Sequence, residues 1–144
     1  MNMETRKPGI KLGNTDLTGR IIAAALRVHQ ELGPGFLEVL YEEALAIELS
    51  SSDISFERQK SIPILYRGRV IGEHRLDLLV TGKVVIELKA ISALEDIHFA
   101  IVRSYLKATG LEDGLLLNFA SVRLTVKRVG REYRPRSLRE GMTF

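Results

Sequence analysis

Two β-prone runs that flank a short turn constrain the fold of this chain more than any other feature. Residues 74–80 and 84–89 have the composition and alternation of the strands of an antiparallel hairpin. Opposed residues of a hairpin point to the same face and successive residues alternate, so the loop length decides which side chains share a face. A three-residue loop over residues 81–83 creates one entirely aliphatic face and places Asp77 opposite Glu87 on the other.

Side-chain parity favours a three-residue loop, and that register is one of two that satisfy it. The aliphatic face then pairs Val80 with Val84, Leu78 with Ile86 and Leu76 with Leu88. Loops of two or four residues would mix carboxylates into this face, whereas a loop over residues 80–82 keeps the parity and makes Asp77 and Glu87 diagonal neighbours. Either alternative brings the two carboxylates within roughly 5–8 Å of each other, with Lys89 on the same side.

Two carboxylates at this separation repel each other unless a cation lies between them. A divalent metal ion would reverse the sign of the interaction, and magnesium takes one or two carboxylates together with waters and phosphate oxygens. In the alternative interpretation the face is solvated, and Arg75 and Lys89 neutralise the two acids. These four residues alone favour neither interpretation.

Two motifs resemble those of a known nuclease family. Asp77, nine intervening residues and the tripeptide Glu-Leu-Lys at 87–89 resemble the Asp…(Asp/Glu)-x-Lys signature of the PD-(D/E)XK nuclease superfamily, with Leu76 at the position of the signature's proline. The segment GFLEVLY at residues 35–41 is similar to the motif of the GxxExxY protein family, a small bacterial and archaeal branch of that superfamily. The similarity runs from about residue 18 to about residue 129.

The resemblance implies a restriction-endonuclease-like fold of the α/β (α+β) class. Its core has the order α-β-β-β-α-β, with a mixed sheet flanked by helices. Asp77 and Glu87 would hold Mg²⁺ or Mn²⁺ together with the main-chain carbonyl of Leu88. Glu38 would be a third acidic contributor, direct or through water, and Lys89 would orient the attacking water or stabilise the transition state.

Glu38 has a second explanation, because the helix dipole favours acids in the first turn of a helix. We favour its role in the site because it is the acidic residue of the family motif. Glu42, one turn later, is expected in solvent and is the first substitute for Glu38. The second helix is predicted from about residue 36 to about residue 49. Its buried stripe is predicted at Leu37, Leu40, Tyr41, Ala44 and Leu45.

Local patterns predict the order helix, helix, three strands, helix, two strands. A first helix begins near Leu17, has apolar residues at helical spacing and stops at Gly33. The five strands are predicted at residues 61–66, 69–80, 84–89, 115–119 and 121–129, and residues 56–59 are a weaker candidate for a short additional strand. Pro63 indicates an edge or a bulge, and Gly72 indicates a bend.

The third helix is predicted to open with a capping box at residues 92–95. Its apolar stripe is predicted at Leu94, Ile97, Ile101, Tyr105 and Ala108. Ile101 occupies the position, four residues before Tyr105, at which related nucleases often carry a glutamine, and isoleucine cannot hydrogen-bond phosphate. His98 lies one turn earlier, where the family often has histidine; it either reaches the site or is a satisfied, partly buried residue.

Basic residues gather toward the C-terminus, which suits phosphate contacts with nucleic acid, although such a tail is as often only solvated. The residues predicted to contact nucleic acid are Arg75, His98, Tyr105, Arg128, Arg131 and Arg134. We divide the chain into a flexible leader (residues 1–15), a nuclease domain (residues 16–130) and a basic tail (residues 131–144).

Composition restricts the remaining choices. A chain of 144 residues suits one domain, and the absence of cysteine excludes disulfides and thiolate metal sites. No signal-peptide core or membrane-length apolar run is present, which predicts a cytoplasmic protein without membrane contact; a homodimer is left open. The predicted function is metal-dependent hydrolysis of phosphodiester bonds, with DNA as the expected substrate. The alternative, motivated by Ile101, is a non-catalytic module of the same fold that binds nucleic acid or protein.

Overall fold

The computed structural model describes residues 14–132, which form three α-helices and one five-stranded sheet. The elements in chain order are α1 (Thr15–Leu32), α2 (Glu38–Ser51), β1 (Phe56–Tyr66), β2 (Arg69–Val80), β3 (Val84–Lys89), α3 (Asp96–Thr109), β4 (Asp113–Asn118) and β5 (Thr125–Gly130). Residues 1–13 and 133–144 fall outside the described range, and with them almost all of the predicted leader and tail. Within the described residues no helix is both long enough and apolar enough to cross a membrane.

The five strands follow one another across the sheet in sequence order, β1-β2-β3-β4-β5. Every neighbouring pair is antiparallel except β3 and β4, which are parallel and are connected through α3. A parallel pair needs such a crossover, whereas antiparallel neighbours need only turns. The architecture is therefore the predicted α-β-β-β-α-β arrangement, a mixed sheet flanked by helices.

Apolar clusters cover both faces of the sheet. The larger cluster lies under α1 and α2, and α1 contributes the stripe predicted from helical spacing: Ile21, Ala24, Ala25 and Val28. The smaller cluster joins α3 to the other face through Val102, Tyr105 and Leu106. Gly114 of β4 permits this close approach, since a Cβ there would lie 2.7 Å from Cγ1 of Val102. Burial of both faces explains the continuous apolar run of β4.

The β2–β3 hairpin has the predicted three-residue loop. Its ladder pairs Val80 with Val84, Leu79 with Val85 and Leu78 with Ile86. Thr81 and Gly82 both have positive φ, at 49° and 69°, and the N–H of Lys83 donates to the carbonyl of Val80 at 2.9 Å. The register inferred from parity is therefore confirmed over these three pairs.

The predicted register fails one residue further along β2. The ladder ends at Leu78, so Asp77 and Glu87 are not opposed ladder partners. Leu76 also leaves the predicted aliphatic face: Leu78 packs in the cluster under α1 and α2, whereas Leu76 packs in the cluster under α3. Because residues two apart in a regular strand share a face, the alternation of β2 is interrupted between them, at Asp77.

The burial of α2 differs from the prediction. Its buried residues are Tyr41, Glu42, Leu45, Ala46 and Leu49. Leu37 and Leu40, predicted in the core, are 72% and 45% exposed, whereas Glu42, predicted in solvent, is 7% exposed. The helix begins at Glu38, two residues later than predicted. Its buried side is therefore rotated toward Tyr41 and away from the two exposed leucines.

The start of α3 was also predicted incorrectly. The capping box is formed by Glu95 and His98 rather than by residues 92–95, because the helix begins only at Asp96. The buried residues of α3 are Val102, Tyr105 and Leu106. Of the predicted stripe, Tyr105 alone is buried, and Ile97 is 59% exposed.

The strand boundaries need smaller corrections. β1 is one continuous strand and accommodates Pro63 because it lies at the edge of the sheet. The predicted bend at Gly72 is a bulge: the ladder pairs Gly72 with Ile64 and Val70 with Leu65, which leaves Ile71 without an opposite residue. β4 and α1 each begin two residues earlier than predicted, and β5 begins four residues later.

Candidate metal centre

The GFLEVLY segment fixes the start of α2. Gly35 adopts φ 111°, which favours glycine. Tyr41, one turn into the helix, secures this bend, because its hydroxyl donates to the carbonyl of Gly33 at 2.6 Å and accepts from the N–H of Phe36 at 3.1 Å. Glu38 is the first residue of α2. The backbone of Glu38 is therefore fixed by the hydrogen-bonded bend before it and by the helix after it.

Asp77 lies where β2 loses its regular contact with β3. Its carboxylate Oδ2 accepts the N–H of Leu88 at 2.8 Å, so a side chain takes the place of the main-chain partner that β2 would otherwise offer. The N–H and the carbonyl of one strand residue point in the same lateral direction. The carbonyl of Leu88 therefore faces the same gap as the Asp77 carboxylate.

Glu87 and Lys89 lie two residues apart on β3, so both side chains are on the face of the sheet that α3 covers. Glu87 is 6% exposed, and its Oε2 lies 3.4 Å from Nζ of Lys89, which is longer than a direct charge-assisted hydrogen bond. The other oxygen, Oε1, is buried without a hydrogen-bond partner among residues 14–132. A carboxylate oxygen left in this state is unfavourable, and a bound cation would satisfy it.

Charge interactions connect these groups with one another. Burial, and then the charge of Asp77, raises the pKa of Glu87 to about 8 against the lowering effect of Lys89. Burial, followed by Asp77, also raises the pKa of Glu38, and Lys89 again opposes it. Burial and the charges of Glu87 and Asp77 raise the pKa of Tyr105 to about 12. The structure thus brings Glu38, Asp77, Glu87 and Lys89 together, with Tyr105 beside them.

The available donors suit a hard divalent ion. Carboxylate and carbonyl oxygens are the ligands of Mg²⁺ and Mn²⁺, and Asp77, Glu87 and the carbonyl of Leu88 supply them. Within residues 14–132 no three His, Cys, Asp or Glu side chains lie close enough to form a complete site alone. Magnesium tolerates such a partial protein site, because it keeps several waters and takes further oxygens from its substrate.

A comparison with protein families decides the assignment. The profile of the PD-(D/E)XK nuclease superfamily matches residues 15–129, which include every residue of this centre. The chain belongs to the PD-(D/E)XK nuclease superfamily. Nucleases of this superfamily generally use divalent metal ions, in agreement with the oxygen donors of the centre.

Two solved structures share the fold of this nuclease-superfamily chain. The crystal structure of SSO0001 matches with a TM-score of 0.51 and 17% identity, over 84% of this chain and 61% of that one. An alkaline exonuclease from Laribacter hongkongensis, LHK-Exo, matches with a TM-score of 0.50 and 12% identity, over 92% of this chain and 76% of that one. The chain thus spans less than two thirds of SSO0001. A comparison with curated proteins finds no match.

Three residues predicted to contact nucleic acid have different surroundings in this nuclease-like fold. Tyr105 is beside the carboxylates of the centre. His98 is engaged in the capping box, where its Nδ1 accepts the N–H of Glu95 at 2.8 Å. Arg75 is exposed on β2. Ile101, at the usual glutamine position, is half-buried against the cluster under α3. Contacts of the first three with nucleic acid stay predictions.

The structure does not bring Arg128 and Arg131 to the metal centre. They lie on β5 or just after it, two strands away from β3. Gly130, the last residue of β5, pairs with Asp113 of β4, which pairs with Val84 at the start of β3. Lys89 is at the other end of β3, about 16 Å further along that strand. Arg128 donates a hydrogen bond to a threonine side chain of α1. Arg134 lies outside the described residues.

Asn118 was not singled out from the sequence, yet it holds the chain that follows the Glu-Leu-Lys tripeptide. It is buried at the end of β4 beside Lys89. Its Oδ1 accepts the N–H of Ile91 at 3.1 Å and its Nδ2 donates to the carbonyl of Ile91 at 2.9 Å. The available signal was a lone amide directly after an apolar run, which in a buried strand must satisfy its hydrogen bonds locally.

Glu42 is the second residue whose role was misjudged. It accepts hydrogen bonds from Nε of Arg58 at 3.1 Å and from Nε2 of Gln59 at 2.9 Å. Arg58 also bridges to the exposed Glu43 at 2.6 Å. The buried charge of Glu42 is therefore compensated by protein groups, whereas Glu87 keeps a bare oxygen. Because Glu42 already has these partners, it is a poor substitute for Glu38 as a contributor to the metal centre.

Proposed function

We propose that this protein is a metal-dependent nuclease of the GxxExxY branch that hydrolyses phosphodiester bonds in DNA. The proposal depends on the pair formed by the half-buried Asp77 and the buried Glu87, with one Glu87 oxygen unsatisfied and the other 3.4 Å from Lys89. The ionised form of such a buried carboxylate is destabilising without a compensating charge, and a divalent cation would supply that charge. The conformation of the GFLEVLY segment, which fixes the backbone of Glu38, supports the assignment to this branch.

The carboxylates of Asp77 and Glu87 and the carbonyl of Leu88 would hold Mg²⁺ or Mn²⁺. When bound, the ion would acidify an attacking water and neutralise charge that develops on the phosphate. The N–H of Leu88 holds the Asp77 carboxylate in place, which preorganises this ligand. Glu38 would contribute through water, because no three acidic side chains of residues 14–132 reach a common point directly.

Lys89 and Tyr105 would act on the substrate itself. The main chain of Lys89 is fixed, since its carbonyl accepts the N–H of Phe119 at 2.9 Å, and its half-buried ammonium lies at the carboxylate pair. A preorganised cation there can orient the attacking water or stabilise negative charge on the phosphate. Tyr105, with its pKa raised to about 12, stays protonated at neutral pH and can donate to a phosphate oxygen.

A groove of about 410 Å³ gives the substrate strand a path away from the metal centre. It lies between α3 and the outer half of the β1–β2 hairpin, and its lining includes His74, Ser104 and Lys107. His74 contacts the ring of Tyr105 edge-on, with 4.6 Å between the ring centroids, and hydrogen-bonds to Ser104 at 3.1 Å, so the groove borders the tyrosine that lies beside the centre. Lys107 is exposed and forms no ion pair within residues 14–132, so it suits a backbone phosphate.

The test is a cleavage assay on single- and double-stranded DNA and RNA, with Mg²⁺ or Mn²⁺ and with EDTA. We expect DNA to be cleaved by the wild type only with metal, and not by Asp77→Asn. Equal cleavage in EDTA would contradict metal dependence. Cleavage of RNA alone would keep the metal centre but overturn the choice of DNA.

Ile101 favours a second candidate, a non-catalytic module of the same fold that binds nucleic acid or protein. An aliphatic side chain cannot replace the hydrogen bonds of the glutamine that often occupies this position in related nucleases, and here it packs into the cluster under α3. Binding of Mg²⁺ without cleavage of any of the four substrates would favour this candidate. Recovery of cleavage by Ile101→Gln would then identify the substitution as the cause.

A further inference from the structure

Gln59 of β1 has a backbone conformation that does not belong in a regular strand. Its φ is 51°, in the left-handed region, whereas strand residues have strongly negative φ. The other non-glycine residues of positive φ among residues 14–132 are Asp53, Arg67 and Thr81. All three lie in turns, and Gln59 alone lies inside a strand. This conformation is unfavourable for a side chain such as glutamine, so its surroundings must hold it there.

The distortion lies directly across the sheet from Asp77. The flanking ladder pairs are Arg58 with Leu78 and Lys60 with Leu76. The register therefore sets Gln59 opposite Asp77, but the ladder skips both residues. On the other side of β2 the ladder to β3 has already ended. Asp77 thus has no ladder partner on either side.

The change of face in β2 occurs at the same level. Leu76 and Leu78 point to opposite faces of the sheet. The side-chain alternation of β2 therefore shifts by one residue at the position opposite the left-handed residue of β1. If only one of two paired strands changed the face of its side chains, the ladder between them would break. We therefore treat the positive φ of Gln59 in β1 and the change of face at Asp77 in β2 as one distortion. At the same position the Asp77 carboxylate faces β3, where it accepts the N–H of Leu88.

The side chain of Gln59 ties this distortion to α2. Its Nε2 donates to Oε1 of Glu42 at 2.9 Å, and Arg58 donates to the other oxygen at 3.1 Å. Glu42 is buried and lies one helical turn after Glu38. The kink in β1 is therefore anchored to the helix that carries the third acid of the centre.

We propose that Gln59 is a positioning residue of the metal centre: its left-handed backbone, anchored to Glu42, turns Asp77 out of the sheet ladder and toward Leu88 and Glu87. The inference rests on the proposed function insofar as Asp77 is taken to bind metal. Its geometric part, that the backbone of Gln59 sets the direction of the Asp77 carboxylate, holds for the metal-free protein as well.

The test is a series at position 59 ordered by tolerance of left-handed backbone: Gln59→Gly, Gln59→Ala and Gln59→Val. Two quantities are measured on each: the chemical shift of the Leu88 amide proton in metal-free protein by NMR, and the affinity for Mn²⁺ by titration calorimetry. The amide shift reports directly on the hydrogen bond to Asp77, and the affinity reports on the ligand that this bond orients.

Gln59→Gly should keep the Leu88 amide shift and bind Mn²⁺ within about threefold of wild type, because glycine adopts the left-handed backbone without strain and needs no anchor to Glu42. Gln59→Val should move the amide upfield and weaken Mn²⁺ binding about tenfold or more, the range seen when groups that orient metal ligands are lost. Gln59→Ala should fall between them. The order of glycine and alanine remains measurable even where the valine variant does not fold.

Arg67 provides a matched control, since it has the same φ of 51° in the β1–β2 turn, away from Asp77. Arg67→Val should lower the melting temperature in the same way while leaving the Leu88 amide and the Mn²⁺ affinity unchanged. Equal losses of affinity in this control would overturn the proposal, as would a Leu88 amide that does not follow the series at position 59. If the wild type binds no Mn²⁺ but the amide still follows the series, the proposed function falls and the positioning role stands.

Discussion

Replacing Glu87 by glutamine should stabilise the metal-free protein, and the gain should grow with pH. Burial and the charge of Asp77 raise the pKa of Glu87 from its ordinary value of 4.5 to about 8. Because the folded-state pKa is the higher one, the folded protein holds a proton that the unfolded chain has lost over this range. The contribution of Glu87 to stability is therefore fully present below pH 4.5 and is lost as the pH rises toward 8. Glutamine does not titrate and escapes this loss.

The size of the effect follows from the two pKa values. Each pH unit between them reduces the contribution of Glu87 to stability by about 1.4 kcal/mol. The advantage of Glu87→Gln should therefore be near zero at pH 4, about 3 kcal/mol at pH 7 and about 4–5 kcal/mol at pH 9. For a domain of this size, 3 kcal/mol corresponds to a rise in melting temperature on the order of 10 °C.

Thermal melts of both proteins at pH 4, 7 and 9, in EDTA and in Mg²⁺, measure the effect. Magnesium at a hundred times its dissociation constant should stabilise the wild type by about 2.7 kcal/mol and should leave Glu87→Gln almost unchanged. Glu31→Gln is the matched control, since Glu31 is an exposed glutamate of α1, and it should melt like the wild type throughout. A Glu87→Gln gain that is equal at pH 4 and pH 9 would refute the burial argument, and a full magnesium shift in this variant would remove Glu87 from the ligands.

Three further results are expected. Lys89→Ala should abolish cleavage while metal affinity stays equal or rises, because a cation beside the ion is removed; wild-type turnover in this variant would exclude Lys89 from catalysis. Tyr41→Phe should lose the hydrogen bond to Gly33, lower the free energy of unfolding by about 1–2 kcal/mol in denaturant titrations and weaken Mn²⁺ binding through Glu38; unchanged affinity would show that this bend does not position the acid. Lys107→Glu should weaken binding of a labelled oligonucleotide and reduce the salt dependence, whereas Lys83→Glu, in the β2–β3 turn, should not; equal effects would argue against the groove.

The hairpin shows what local sequence determines and where it stops. Alternation of apolar and polar residues gave the loop length and three correct pairs, because each choice involved only residues within the hairpin. It failed at Asp77 because the interruption there coincides with the left-handed residue of β1, Gln59, which is eighteen positions earlier in the chain. Glutamine gives no local signal of such a conformation, unlike glycine or asparagine.

The helices differ in predictability for a physical reason. The apolar residues of α1 form one stripe, and that stripe is buried. The residues of α2 are apolar around much of the helix, so that Leu40 and Ile47 are exposed while Leu45 and Leu49 are buried. A helix without a clear polar side does not indicate its orientation by sequence pattern. Tyr41 and Glu42 hydrogen-bond to residues outside α2, namely Gly33 and Arg58. Both bonds lie on the side of α2 that is buried.

The residue types of the centre were predictable from two motifs, but their energetic differences were not. Glu42 and Glu87 are nearly equally buried, at 7% and 6% exposure. One carboxylate is compensated by Arg58 and Gln59, and the other has an oxygen without a partner among residues 14–132. What distinguishes the two carboxylates is that Arg58 and Gln59 of β1 reach Glu42 of α2. A prediction from spacing therefore finds the acids but cannot say which of them needs a cation.

The raised pKa of Glu87 is a consequence of how rigidly β3 is held. Its neighbours Ile86 and Leu88 are fully buried in the cluster under α1 and α2, and Val85 is fully buried under α3. Moving β3 away from Asp77 would relieve the repulsion but would expose these side chains, at about 2 kcal/mol or more for each. Relief by motion is thus less favourable than uptake of a proton or a cation. The apolar packing of β3 is therefore what makes the free energy of the folded protein respond to pH and, in the proposed function, to a divalent metal ion.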